Sequence, residues 1–308
     1  MNLDQLRTFV TAADTLHFTQ AGRLLGLSQP TISQQILDLE TSLKAHLFER
    51  RGRQLVLTPA GERLRPLAQE VLTNVRRAED ALAEFTGDPM GVVRVGADST
   101  PGTYLLPLAL GTFTRENPGA PISVRETDRE ALLRAMKDGE MDVAVTASEP
   151  SAGLLIDWER VPLLTDEIVL IAPPHHRWAN RTSVDVQELE GEPFILRQRD
   201  SSLRQLYSRR MAEVGFSADR LTVRFELSST EGIKHAVMAG LGVGFVSRYS
   251  IDLERAAGRL VALRIRSLPI ERQLWLWHPK DHMLGLYPQR FVETLLLCSD
   301  WLRSPLPC

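Results

Sequence analysis

The sequence predicts a small, mainly α N-terminal unit, one long helix, and then an α/β domain of two lobes. Three patterns predict it. Apolar residues recur at helical spacing from Leu6 to Leu43. A stretch from about Pro59 to Phe85 repeats them in steps of three and four. Beyond it, strand-like and helix-like segments alternate. A length of 308 residues has room for all three parts.

Composition narrows the function classes. No apolar run approaches the roughly 18 residues that a bilayer span requires. Met1-Asn2-Leu3-Asp4-Gln5 lacks the basic start and apolar core of a secretory signal, so the cytoplasm is the expected compartment. Cys298 and Cys308 are the only cysteines, which excludes a disulfide framework or a four-cysteine zinc site. The net charge of −3 does not advertise a polyanionic partner. Residues 1–58 carry six Lys/Arg against five Asp/Glu, so a basic contact there must be local, as in Arg50-Arg51-Gly52-Arg53.

Leu6, Phe9, Val10 and Ala13 mark the buried side of a first helix. Thr19 can cap a short second helix with Ala21, Leu24 and Leu25 inward, ended by Gly26. Ser28 suits the N-cap of a third helix that tolerates Pro30 in its first turn. Ile32, Ile36, Leu39 and Leu43 form its apolar stripe, while Gln29, Thr31, Ser33, Gln34 and Gln35 form the opposite face. Residues 48–57 predict two short strands around Gly52. Such a polar face is commonly only solvated. Amides and hydroxyls at a helix start also suit base edges in a major groove, and a basic hairpin suits the flanking phosphates.

These residues resemble the opening of the LysR-type transcription regulators. The resemblance lies in Leu6-Arg7-Thr8-Phe9, in His17-Phe18-Thr19-Gln20-Ala21-Gly22-Arg23-Leu24-Leu25, and in Leu27-Ser28-Gln29-Pro30-Thr31-Ile32-Ser33-Gln34-Gln35-Ile36. Leu39-Glu40, Leu47-Phe48-Glu49-Arg50 and Leu57-Thr58-Pro59-Ala60-Gly61 complete it. It implies a winged helix-turn-helix that binds double-stranded DNA through Thr19, Gln29, Pro30, Thr31, Ser33 and Gln34, with Arg51 and Arg53 in the wing. Many members carry arginine where this chain has Gln34.

Leu64, Leu67, Val71, Val75, Ala78, Leu82 and Phe85 form a seam of about 3.5-residue period, with Pro66 as a candidate kink. The seam can pack on the same chain or on a second copy, and the second copy is preferred because the stripe is long. Gly87-Asp88-Pro89-Met90-Gly91 reads as a linker. The expected divisions are 1–58 for the winged unit, 59–87 for the linker helix and 88–308 for the remainder. The remainder divides into a first lobe of about 88–163 plus 267–308 and a second of about 164–266.

In the remainder, Val92–Ala97, Ile122–Glu126, Met141–Thr146, Glu167–Ala172, Phe194–Leu196, Thr222–Glu226 and Val243–Val246 read as strands. Tyr104–Arg115, Glu130–Lys137, Leu203–Val214 and Glu231–Ala239 read as helices, and Gln273–Trp277 and Tyr287–Leu302 return to the first lobe. Ligands of such sheets gather where strand carboxyl ends meet helix amino ends. Ser99, Thr100, Thr127 and Thr146 in one lobe and Arg197, Arg199, Ser201 and Ser202 in the other are the candidate effector residues. Each Ser or Thr at a helix start is otherwise a plain cap.

Gly139–Val145, Thr230–Val237 and Ala239–Ser247 extend the family resemblance, which implies an effector domain similar to periplasmic solute-binding proteins. It also implies a homotetramer of dimers, contact with RNA polymerase, and most often activation. Regulators of carbon fixation and sulfur assimilation read Arg-x-x-Gly-Ser-x-Thr-Arg in the second-lobe loop. Arg197, Ser201 and Arg204 agree with this pattern, and Asp200 and Leu203 depart from it. The expected ligand is a small anionic metabolite, with no cofactor and no metal.

Catalysis finds little support. His175 and His176 are adjacent within a Pro173-Pro174 turn and cannot share one helix face as metal ligands. Neither a Gly-x-Ser-x-Gly elbow nor a P-loop occurs. Gly240, Gly242 and Gly244 open a strand, the wrong context for a dinucleotide. Cys298 falls among leucines and is expected to be a buried structural thiol.

Overall fold

A computed structural model describes residues 1–52, 54–86, 92–147, 157–280 and 284–303. The chain opens with α1 (Leu3–Thr15), α2 (Phe18–Leu25) and α3 (Gln29–Leu43), followed by β1 (Phe48–Arg51), β2 (Gln54–Leu57) and α4 (Pro59–Thr86). Asn2 and Gln5 close a capping box at the start of α1. Leu6, Phe9 and Ala12 pack with Ala21, Ile32, Ile36, Leu39 and Leu47, and Ala68 of α4 closes this core. The ring of Phe48 stands edge-on to Phe18 at 5.3 Å, which seats the hairpin against the helices.

Several expectations change here. The N-cap of α2 is His17, not Thr19, because Phe18 is drawn into the core and starts the helix two residues earlier. Leu24 and Leu43 are exposed rather than inward. In the short α2, Ala21 and Leu25 already occupy the inward face, and Leu43 lies in the last turn of α3, beyond the reach of α1. Gln35 turns inward to meet Thr8 of α1.

Helix α4 runs unbroken past Pro66. Its Leu64, Ala68 and Leu72, four residues apart, cover the N-terminal core. Leu64 therefore leaves the predicted seam, whereas Leu67, Val71 and Leu82 remain exposed. The side chain of Phe85 lies outside the described residues.

The α/β region begins with β3 (Val93–Ala97), a wide helical turn over Pro101–Leu105, α5 (Leu106–Glu116), β4 (Ile122–Glu126), α6 (Arg129–Lys137) and β5 (Val143–Thr146). A long β6 (Trp158–Ala172) precedes β7 (Ser183–Val184), β8 (Pro193–Arg197), α7 (Ser202–Glu213), β9 (Thr222–Leu227), α8 (Thr230–Met238) and β10 (Gly244–Ser247). Then come α9 (Asp252–Ala256), β11 (Val261–Ile265), β12 (Glu271–Pro279) and α10 (Leu286–Arg303).

The main sheet is ordered β4-β3-β5-β12-β6-β11-β7, with β10 also on β6. Strands β4, β3 and β5 are parallel. β12 runs antiparallel between β5 and β6. Two cores result. Val95, Leu106, Phe113 and Phe291 belong to one, and Trp178, Phe194, Tyr207 and Phe245 to the other.

β6 joins them. Its residues 158–167 pair with β12 in the first lobe, and its residues 168–172 pair with β10 and β11 in the second. Only the second half was legible as a strand. The first half carries Glu159, Arg160 and Pro162, which hide the strand pattern. β11 was missed as well.

Candidate nucleic-acid interface and effector crevice

Helix α3 presents the first candidate surface. Ser28 caps it by accepting the Thr31 backbone N–H, and its hydroxyl lies 2.7 Å from that of Thr31. Gln29, Pro30, Thr31 and Gln34 are exposed and Ser33 is half-buried, all near one end of the helix. Gln29 donates to the Ser33 hydroxyl at 2.7 Å, and Gln34 donates to Asp38 at 2.8 Å. These amides are held in place yet remain open to solvent. Thr19 is exposed in the first turn of α2.

The hairpin has its turn at Gly52, whose φ of 66° favours glycine. Arg51 is exposed and pairs with Glu49 at 2.8 Å. Arg53 lies outside the described residues. Glu40 belongs to the motif that carries the resemblance, but its role was not legible there. Its carboxylate accepts the backbone N–H groups of Leu47 and Phe48, fixing where the hairpin leaves α3.

The second candidate surface lies between the lobes. Ser99 and Thr100 follow β3 at the start of the wide helical turn; Ser99 is half-buried and Thr100 buried. Thr100 accepts a hydrogen bond at 2.9 Å from Arg272, at the start of β12. Arg272 also binds Asp166 of β6 at 2.8 Å. Asp166 has no exposed surface, and its other oxygen accepts from Ser247. Burial pushes the Asp166 carboxyl above its usual range, although Arg272 and Ser247 oppose the shift. Asp98, at the end of β3, is likewise raised by burial and accepts the Ala147 N–H at 2.6 Å.

From the second lobe Arg197 ends β8 and reaches 3.5 Å towards Thr230, the first residue of α8. Its Nε is buried and has no hydrogen-bond partner among the described residues. Desolvation, and next the nearby Arg272, hold the Arg197 pKa below its ordinary value. Tyr104 of the first lobe donates to Glu231 of the second, so the wide turn and the start of α8 face each other. Burial, and then Glu231, raise the Tyr104 pKa. Glu231 also meets the buried Lys234 at 2.8 Å.

The other candidates sit differently. Thr127 is half-buried and its N–H binds the Ala97 carbonyl. Thr146 is buried, and its hydroxyl accepts from Trp277 at 2.9 Å, so that contact faces into its own lobe. β4 and β5 flank β3 rather than adjoin. Ser201 is the N-cap residue of α7 but makes no side-chain cap, and Ser202 is half-buried beside it. Arg199 is exposed and lines an open hollow with Gln205 and Ser208 along α7.

Arg204 braces this loop by donating to the Arg197 carbonyl and to Glu226. Arg272, Asp166, Tyr104 and Glu231 are the residues that the sequence did not point out. Their only signal was charge within strand segments for Asp166 and Arg272, and a place in or beside a helix start for Tyr104 and Glu231.

His176 is no free turn residue. It pairs with Glu192 at 3.2 Å and packs edge-on against Trp178. Cys298 is half-buried against the first core. Among the described residues no three His, Cys, Asp or Glu side chains gather as a metal site. No helix among them is long and apolar enough to cross a membrane.

Residues 3–62 match the family described as bacterial regulatory helix-turn-helix protein, lysR family, and residues 86–297 match the LysR substrate binding domain. The chain is 34% identical over 278 residues to the HTH-type transcriptional regulator CfxR of Cupriavidus necator, covering 90% of this chain and 84% of that one. It is 30% identical over 298 residues to the RuBisCO operon transcriptional regulator of Allochromatium vinosum, covering 96% of both. Among solved structures, the regulatory domain of Synechocystis CcmR in complex with 2-PG superposes with a TM-score of 0.60 at 27% identity. That match covers 68% of this chain and 98% of that domain. The winged helices, the two-lobed domain and these relatives agree, and the chain belongs to the LysR family of DNA-binding transcription regulators.

Proposed function

We propose that a small anionic metabolite binds between the lobes and changes how α3 engages an operator. The observation that carries this reading is the convergence of two threonine–arginine pairs at one crevice. Thr100 with Arg272 comes from the first lobe and the crossing strands, and Thr230 with Arg197 from the second. Ser99, Thr127, Ser201 and Ser202 add hydroxyls around them, Thr146 supports the first lobe from within, and Arg199 supplies charge at the rim. The complex of CcmR with 2-PG supports an anion of this kind, and the RuBisCO operon regulator supports a role near carbon fixation.

On the DNA side Thr19, Gln29, Pro30, Thr31, Ser33 and Gln34 face the groove, and Arg51 and Arg53 face phosphates. Leu67, Val71 and Leu82 join two copies through α4, two such dimers form a tetramer, and the assembly acts in the cytoplasm as an activator in contact with RNA polymerase. No cofactor takes part. A ligand can drive such a change only by binding one lobe arrangement better than another.

Calorimetric titration of 2-PG and other small phosphates and carboxylates tests the site. Arg197→Ala is expected to weaken the best ligand at least tenfold and Ser99→Ala to weaken it less. Unaltered affinity in both variants would remove the crevice from the account.

A further inference from the structure

We infer that Leu37 gives α3 an apolar contact with the C5-methyl group of a thymine, and so adds a sequence preference that the amides and hydroxyls do not supply. This rests on α3 lying in the major groove.

Helix geometry sets the place of Leu37. At about 100° per residue, Gln29, Ser33, Leu37, Pro30 and Gln34 follow one another around α3 within an arc of about 140°. Ile32, Ile36 and Leu39 take the opposite side and fill the N-terminal core. Leu37 is 54% exposed, at the middle of the polar arc. An exposed leucine is ordinary on a soluble surface, but this one stands among side chains suited to base edges. Its polar neighbours are paired with each other, Gln29 with Ser33 and Gln34 with Asp38. One turn on, Thr41 donates its hydroxyl to the Leu37 carbonyl at 2.7 Å, so that group is taken up by the helix itself.

Leu37 lies about 6 Å beyond Ser33 along the helix axis. That is under two base-pair steps of about 3.4 Å. A helix lying along the groove therefore sets the two side chains over neighbouring base pairs. Thymine alone carries an apolar group on its major-groove edge. Against cytosine the leucine would strip water from an amino group and return no hydrogen bond. Leucine at this position favours thymine on both counts.

Deoxyuridine gives the test, since it pairs as thymine does and lacks only the methyl. The site footprinted upstream of the chain's own gene is made as duplexes with one thymine at a time replaced. Binding of the full chain is read by fluorescence anisotropy at fixed salt. At a thymine under α3 the replacement is expected to weaken the unaltered chain about fourfold, the worth of one buried methyl. Leu37→Ala is expected to bind the thymine duplex more weakly by a similar factor and to be indifferent to the methyl at that position. Leu37→Met, which keeps an apolar side chain, should retain the dependence. Alanine and methionine both suit a helix, and unchanged non-selective binding of duplex shows that the variants fold.

No thymine whose replacement weakens the unaltered chain, or a methyl dependence that survives in full in Leu37→Ala, overturns the proposal. If deoxyuridine has no effect while Gln29→Ala with Ser33→Ala still abolishes the site, the methyl contact falls and the placement of α3 stands. If neither the Leu37 variants nor the Gln29 and Ser33 pair alters the site, both fall.

Discussion

Asp166 lies where β6 passes from one lobe to the other, fully buried, with Arg272 on one oxygen and Ser247 on the other. Removing a carboxylate from water costs more than its partners return, which is why burial raises its pKa despite the ion pair. The pair is thus weak as a source of stability and strong as a constraint. Arg272→Gln leaves the carboxylate unmatched and is expected to cost about 3–5 kcal/mol, measured by urea unfolding.

One residue on, Glu167 behaves oppositely. The hydrogen bond from Arg264 holds its carboxyl below the usual range, with Arg248 adding to it. A carboxyl lowered in the folded state stabilises above its unfolded pKa of about 4.3, and that stability is lost as pH falls through the folded value. Glu167→Gln should therefore narrow the difference in stability between neutral pH and pH values below about 4. An acid unfolding curve unchanged by the substitution would contradict this.

Among the elements, α3 and its cap were readable because capping and apolar spacing are local. Ser28 caps as predicted, and Ser28→Ala is expected to cost roughly 1 kcal/mol in thermal unfolding. The start of α2 was not readable, because Phe18 answers to Phe48, thirty positions away. In α4 the apolar period was visible, but its division into two faces was not. Leu64, Ala68 and Leu72 serve the N-terminal core, and Leu67, Val71 and Leu82 are left exposed. Leu67→Asp with Leu82→Asp should shift the assembly to smaller species in sedimentation velocity while leaving the helix content of α4 intact. An unchanged distribution would place the subunit contact elsewhere.

At the scale of the molecule, alternation of strands and helices was enough to predict two lobes, since each βα unit is written in contiguous residues. The crossing was not, because it is made by residues far apart in the chain. Asp166 meets Arg272, and Tyr104 meets Glu231. The same holds where the N-terminal part meets the first lobe. Gly139 of the first lobe lies beneath Thr73 of α4. A Cβ on Gly139 would approach the Thr73 hydroxyl to 2.3 Å, and the glycine's φ of 68° disfavours other residues.

All of these connections matter only if the far end of the molecule reads DNA through α3. Footprinting on the DNA upstream of the chain's own gene, with the unaltered protein and with Gln29→Ala combined with Ser33→Ala, measures this most directly. The unaltered chain is expected to protect a defined site, and the variant to lose that site while keeping salt-sensitive, non-selective retention of duplex. The same protected bases in both proteins would contradict the assignment.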